Sequence, residues 1–230
     1  MKIKTFLYSF LLTGTLFILV ESCKKDSAGT SGASNSIVDI DGNVYHSVKI
    51  GSQVWMVENL KTTKYRNGDL VINVPDQPAW ELLSSGAYCL PANDAANYKA
   101  TYGLLYNWFA AVDSRNIAPQ GWHVPSNDEW TVLITFLGND TLVAGKIKEA
   151  GIKHWPSPNA GTTNVTGFTA LPGGFRRDGP VITIGQQGGW LSTTEQNNLD
   201  CLLIAMDALN IVRRGEDSKT NGLSIRCVKD

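Results

Sequence analysis

The sequence predicts an α+β domain with two or three short helices and a mostly antiparallel, loop-rich sheet. Three observations predict it. A hairpin signal surrounds residue 51, amphipathic helical stretches lie between residues 102 and 151, and Gly- and Pro-punctuated strand runs fill the chain from 181 onward. Strands, then helices, then strands argue for α+β rather than for a wound parallel sheet, which needs regular alternation.

The first element is a hairpin. Val44–Ile50 and Gln53–Val57 flank Gly51-Ser52, a two-residue turn with Gly first, the signature of a type II′ connection. Tyr102–Val112 carries apolar residues at 104, 105, 108, 109 and 112, the stripe of an amphipathic helix packed on a core. Ser126 followed by Glu129 has capping-box spacing ahead of Trp130, Leu133, Ile134 and Leu137, so a second helix starts there and Gly138 stops it. A third short helix is expected over Leu142–Ala150, ending at Gly151. Strands are then expected at Val181–Ile184, Trp190–Thr193, Asp200–Met206, Leu209–Arg213 and Leu223–Val228.

Ahead of this domain the chain reads as a targeting segment. Lys2 and Lys4 form a basic start and Phe6–Val20 an apolar run of fifteen residues, shorter than the ~20 needed to span a bilayer. Ser22 precedes Cys23, and Lys24-Lys25-Asp26 follows, which together resemble a bacterial lipoprotein signal. Residues 1–22 are therefore expected to be a signal peptide and Cys23 the lipid attachment site, making the membrane a partner. Several acyl chains hold a protein stably, since each buried methylene contributes ~0.8 kcal/mol. Residues 24–36 contain no large apolar side chain and read as a flexible tether, with a reach of about 20 Å. The globular domain is expected over residues 37–230.

Composition narrows the partners. A formal net charge of −1, with basic pairs only at Lys24-Lys25, Arg176-Arg177 and Arg213-Arg214, lacks the footprint of a nucleic-acid binder. All seven tryptophans follow Cys23, and with 22 glycines they suggest a loop-rich domain built around large aromatics. His46, His123 and His154 have no metal-ligand spacing, and neither a Ser-His-Asp signature nor a phosphate-cradling Gly loop is visible. No catalytic residue, metal or cofactor is assigned. Gly167–Asp178 leads from turn chemistry into Arg176, Arg177 and Asp178, with Trp190 and Glu195 further along. Arginine beside aromatics suits a carbohydrate acid or a protein partner, so these five are the candidate ligand-binding residues, with a solvated loop packed by Phe175 as the alternative.

Several strings in order along the chain carry a family resemblance. They are Asp41–Tyr45, Ile50–Leu60 with Gly-Ser-Gln-Val-Trp-Met-Val-Glu-Asn-Leu, Tyr102–Trp108, Gly121–Ser126, Gly167–Gly174 and Ser224–Val228. The chain resembles the Fibrobacter succinogenes major paralogous domain, which is similar to C-type-lectin-like domains. That likeness implies an extracellular or surface location, pairing of Val44–Ile50 with Leu223–Val228, and Gly121–Pro125 between the two helices. Fold relatives include glycan-binding lectins, protein-binding receptor tips and formylglycine-generating enzymes, and fold alone does not choose among them. Calcium lectins of this fold converge oxygen ligands from a Glu-Pro-Asn or Gln-Pro-Asp triplet and a later Trp-Asn-Asp. Here Gln77-Pro78-Ala79 and Trp190-Leu191-Ser192 lack those oxygens.

The enzymes of the fold hold copper on paired cysteines, and neither Cys201 nor Cys227 has matching surroundings. Relatives carry a cysteine where this chain has Ala118, so the bridge to Cys227 that the resemblance implies cannot form; Cys227 is expected to pair with Cys89 or Cys201 or to remain a thiol, and no disulfide is the preferred expectation. Asp26-Ser27-Ala28 and Asp140-Thr141-Leu142 resemble bacterial O-glycosylation sites. Taken together, the expectation is an outer-membrane or cell-surface lipoprotein whose domain binds a glycan or an envelope or host protein without catalysis. A structural envelope component and an enzyme of unrecognised type are the alternatives.

Overall fold

A computed structural model describes residues 36–138, 143–177 and 183–230. The expected signal peptide, Cys23, the tether, Asp178 and both short O-glycosylation patterns lie wholly or partly outside them. In chain order the elements are β1 (Ile37–Val38), β2 (Val44–Tyr45), β3 (Ser47–Ile50), β4 (Gln53–Met56), β5 (Ile72–Asn73), α1 (Gln77–Glu81), β6 (Ala87–Cys89), α2 (Ala100–Tyr102), β7 (Leu105–Tyr106), α3 (Trp108–Ala111), β8 (Trp122–His123), α4 (Asn127–Phe136), α5 (Val143–Ile147), β9 (Gly188–Glu195), β10 (Asp200–Met206), β11 (Val212–Ser218) and β12 (Val228–Lys229). The fold is α+β, with short helices and mostly antiparallel pairing.

Local chemistry explains the elements that were predicted well. Gly51 takes φ +60° in the turn, and β3 and β4 pair from Ile50 with Gln53 back to Ser47 with Met56. Ser126 caps α4: its hydroxyl accepts from the Glu129 N–H while the Glu129 carboxylate accepts from the Ser126 N–H. Gly138, at φ +111°, follows the helix end. Trp122-His123 forms β8 between α3 and α4, as the resemblance implied.

Other expectations are corrected. Val44-Tyr45 does not extend the hairpin; it pairs with Ile37-Val38 as β2 on β1. The helix expected from Tyr102 to Val112 shrinks to α3, because Leu105-Tyr106 is drawn into β7, where it pairs with Tyr88-Cys89 of β6. Asn107, capping Ala110 N–H, starts the helix instead. The Leu142–Ala150 helix is seen as α5, ending at Ile147. Val181-Ile182 is outside the described residues, and Thr183-Ile184 is not a strand. The last strand's partner also differs. β12 pairs with β4 through Val228 and Trp55, and with β8, in the order β3-β4-β12-β8. The second strand of the hairpin, not the first, meets the end of the chain.

Leu223–Val228 is less a strand than a seam. Leu223 bridges Tyr106, Ser224 bridges Trp190, and the Ile225 and Cys227 carbonyls accept from the N–H groups of Leu60 and Met56. Around this seam lie two apolar cores. One includes Tyr45, Leu104, Tyr106, Phe175, Leu191 and Ile225; the other includes Trp55, Trp130, Phe168, Trp190, Ile204 and Val228. β9 separates them, sending Trp190 to one and Leu191 to the other. It lies too close to its neighbours for side chains at every position: a Cβ on Gly189 would come within 2.1 Å of Phe175. β9, β10 and β11 form an antiparallel sheet in the order β11-β10-β9.

Candidate functional site

The structure divides the predicted site residues into two groups. Trp190 and Arg176 belong to the interior and are corrected as ligand contacts. Trp190 is fully buried and its indole N–H donates to Asn59 Oδ1 at 2.9 Å. Arg176, 3 % exposed, donates to Gln77 Oε1, to the Val74 carbonyl at 2.7 Å and to the Pro75 carbonyl at 3.0 Å, and its guanidinium lies over Trp80. It clamps the entry of α1 onto the seam. Arg177 and Glu195 stay at the surface, and the sheet brings them together. In register, Glu195 of β9 opposes Cys201 of β10, which opposes Asp217 of β11, and Arg177 reaches Asp217 at 2.8 Å. Two strand spacings of about 4.8 Å separate the ends of this row. Lys219 pairs with Glu195, donates from Nζ to the Asn198 carbonyl at 3.0 Å, and lies over Trp108. The loop above carries Leu199, 75 % exposed. The result is a polar row of both signs beside an exposed leucine.

Sequence reasoning missed a buried polar hub at the centre of the molecule. Asn59 Oδ1 accepts from Arg226 Nε at 3.0 Å and Nη2 at 2.8 Å as well as from Trp190, while its Nδ2 donates to the Tyr102 carbonyl at 2.9 Å and to Ser224 Oγ. Arg226 Nη1 donates to the carbonyls of Met56 and Phe168, and its guanidinium stacks on Phe168. Burial brings the Arg226 pKa down to about 9, so the group remains cationic at neutral pH. An unpaired buried charge is tolerable here because every edge of the guanidinium meets an oxygen. The available signal was the placement of Asn59, Ser224 and Arg226 inside the family strings. Those three residues join separate segments of the chain in the interior.

The three histidines each find a carboxylate: His46 with Glu58, His154 with Glu149, and His123 with two. His123 Nε2 lies 2.7 Å from Glu129 and Nδ1 2.7 Å from Asp230, tying β8 to the α4 capping box and to the residue after β12. Partial burial disfavours the charged ring, but the bonds to Asp230 and Glu129 outweigh it and raise the His123 pKa. Burial likewise works against the Glu129 carboxylate, and the Ser126 N–H and His123 overcome it to lower that pKa.

Lys148 is fully buried, over Trp155 at 3.9 Å, donating to the Asp207 carbonyl and Asn210 Oδ1. Desolvation pulls its pKa down to about 8, against the opposing pull of Asp207. Two of its three N–H donors are taken up by residues 207 and 210, which marks it as a brace for that turn. Cys89, Cys201 and Cys227 are separate buried thiols, each with its pKa raised by desolvation. A thiolate is correspondingly disfavoured at all three. Among the described residues no group of three His, Cys, Asp or Glu is placed to hold a metal ion, and no helix is long and apolar enough to cross a membrane.

Three open concavities are seen among the described residues. One is bounded by Asn127, Leu202, Arg214 and Glu216 on the outer face of the β9–β11 sheet, a second by Val38, Ile40, Arg66 and Pro119, and a third by Asp113, His123 and Thr193. Arg66 at the second is engaged by the carbonyls of Ala118, Pro119 and Trp122, so it acts as a strut.

Fold and packing thus define a small α+β domain with a buried Asn–Arg–Trp hub. The family model described as the Fibrobacter succinogenes major domain matches residues 48–229, and the chain belongs to that family. No curated protein and no solved structure matches it.

Proposed function

We propose that this chain is a cell-envelope lipoprotein, anchored through Cys23 at the outer membrane or cell surface, whose domain is a non-catalytic interaction module for a glycan or a surface protein. The domain is read as C-type-lectin-like, since the first hairpin and the last strand share one sheet. The observation that carries the binding reading is the row Glu195–Cys201–Asp217 with Arg177 at its end. It presents the exposed Arg177 and Glu195 at the two ends of a row whose middle, Cys201 and most of Asp217, is enclosed, with the exposed Leu199 beside them. Such a surface fits a polar or extended partner better than it fits a small substrate that must be enclosed. Lys24-Lys25-Asp26 after the anchor favours the outer face.

Two measurements test the two halves separately. Metabolic labelling with an alkyne fatty acid should mark the chain, and Cys23→Ala should abolish the label; an unlabelled wild type removes the anchor from the reading. The purified chain screened against glycan and envelope-protein arrays, with and without calcium, should give a saturable hit that Arg177→Ala and Glu195→Ala weaken while the fold persists. A folded chain silent across the arrays would favour a structural envelope component instead.

A further inference from the structure

β11 is the edge of its sheet. The Lys219 N–H donates to the Leu199 carbonyl at 2.9 Å, which fixes the phase of the β10–β11 ladder: odd-numbered residues of β11 bond to β10 and even-numbered ones face away. The N–H and C=O groups of Val212, Arg214 and Glu216 therefore point outward, and among the described residues nothing pairs with them. Natural sheets cover or blunt such edges, because an open one templates another strand.

The sequence of this edge is Val212-Arg213-Arg214-Gly215-Glu216-Asp217-Ser218, two cations and two anions arranged symmetrically about a glycine. Laid antiparallel on a second copy with Gly215 opposite Gly215, it places Arg214 opposite Glu216 and Arg213 opposite Asp217, each twice by symmetry. A parallel arrangement in register would set arginine against arginine. The phase also fits. Arg214 and Glu216 become hydrogen-bonded partners through the outward groups of both chains, and Gly215 falls at the close, non-hydrogen-bonded position. Within one chain Arg213 is engaged by Asp207 and Asp217 by Arg177, whereas Arg214 and Glu216 are exposed and have no side-chain partner among the described residues. The discriminating contacts are left free.

We propose that β11 pairs with β11 of a second copy of this chain, antiparallel about Gly215, joining two three-stranded sheets into one across a two-fold axis. The self-complementary charge pattern selects this partner, because opposite charges directly across a strand pair attract and like charges repel. A two-fold contact uses the same patch on both subunits, as this one does. The contact involves one seven-residue strand from each copy and belongs to the small, weak class of interfaces. It goes beyond the proposed ligand binding and does not depend on the anchor.

The test uses the full chain, solubilised in detergent, over micromolar to millimolar concentrations. Sedimentation should show a monomer–dimer equilibrium. Glu216→Arg should weaken it at least about tenfold by setting Arg214 against arginine twice. Exchanging the charges, Arg214→Glu with Glu216→Arg, should restore it. Under mild oxidation Gly215→Cys should form a disulfide-linked dimer absent from the unsubstituted chain, since the Cα atoms of that position approach to ~4.5 Å. Arg214→Cys should not, because its own symmetry mate lies beyond disulfide reach. Restoration by the exchanged pair distinguishes recognition from misfolding. A chain that stays monomeric with no Gly215→Cys dimer, or a dimer indifferent to Glu216→Arg, overturns the proposal and leaves the edge to a different protein's strand.

Discussion

Replacing Asn59 by alanine tests whether the buried hub holds the fold. The substitution deletes one acceptor that serves Arg226 Nε, Arg226 Nη2 and Trp190 Nε1, and one donor that serves the Tyr102 carbonyl and Ser224 Oγ. All of these groups are buried, so none regains water without local opening. A buried hydrogen bond to a charged group contributes ~1.5–3 kcal/mol, and stranding a neutral buried donor costs about 1–3 kcal/mol. Together the loss should reach about 4–6 kcal/mol, a large share of the ~5–15 kcal/mol of a typical domain. Asn59→Asp should fall in between, at about 2–4 kcal/mol, because the carboxylate still accepts from Arg226 and Trp190 but sets an oxygen against the Tyr102 carbonyl where Nδ2 donated. Urea unfolding followed by tryptophan fluorescence and circular dichroism reads both, with an unchanged slope confirming that only stability moved. Asn59→Ala within about 1 kcal/mol of wild type, or Asn59→Asp as damaging as Asn59→Ala, would refute the assignment of the hub as a load shared through one carbonyl oxygen.

Trp190→Ala should destabilise the domain by about 3–5 kcal/mol through an internal cavity and a lost indole bond, visible as a lowered thermal midpoint with no ligand present; an unchanged midpoint would return Trp190 to the surface. The His123 clamp has a defined pH window. A raised histidine pKa gives stability that is complete below about 6.5 and fades as pH climbs through the raised value, and a lowered Glu129 pKa gives stability that is complete above about 4.5 and fades as pH falls through the lowered value. The midpoint difference between wild type and His123→Gln should therefore be largest between about pH 4.5 and 6.5, and a flat difference from pH 4 to 9 would show that the clamp is idle. Lys148 runs the other way. With its folded pKa depressed to about 8 against 10.5 when free, the unfolded chain binds more protons in between, so stability relative to Lys148→Met should rise by up to about 3 kcal/mol as pH goes from 8 to 10.5. Chemical denaturation across that range measures it, and no rise would place Lys148 in a solvated site.

The features legible in one dimension are those that near neighbours decide. Gly51-Ser52 sets the hairpin turn, Ser126 and Glu129 start α4, and Asp200–Met206 reads directly as β10, because turn dihedrals, caps and strand periodicity are settled within a few residues. Another local signal was present but read otherwise: Asp76, with Pro78 in the first turn, caps α1. The rest was decided by contacts that no local pattern encodes. Leu105-Tyr106 has helical spacing yet becomes a strand because β6 offers it a partner. Trp190 and Arg176 look like surface recognition residues in sequence, but packing of β9 between two cores encloses the first and Trp80 with the Val74 and Pro75 carbonyls encloses the second. Asn59 and Arg226, which close the hub, stand 167 residues apart. Burial is a property of the surroundings and not of the side chain, so a polar or aromatic residue that reads as a ligand contact in one dimension can be an internal strut in three.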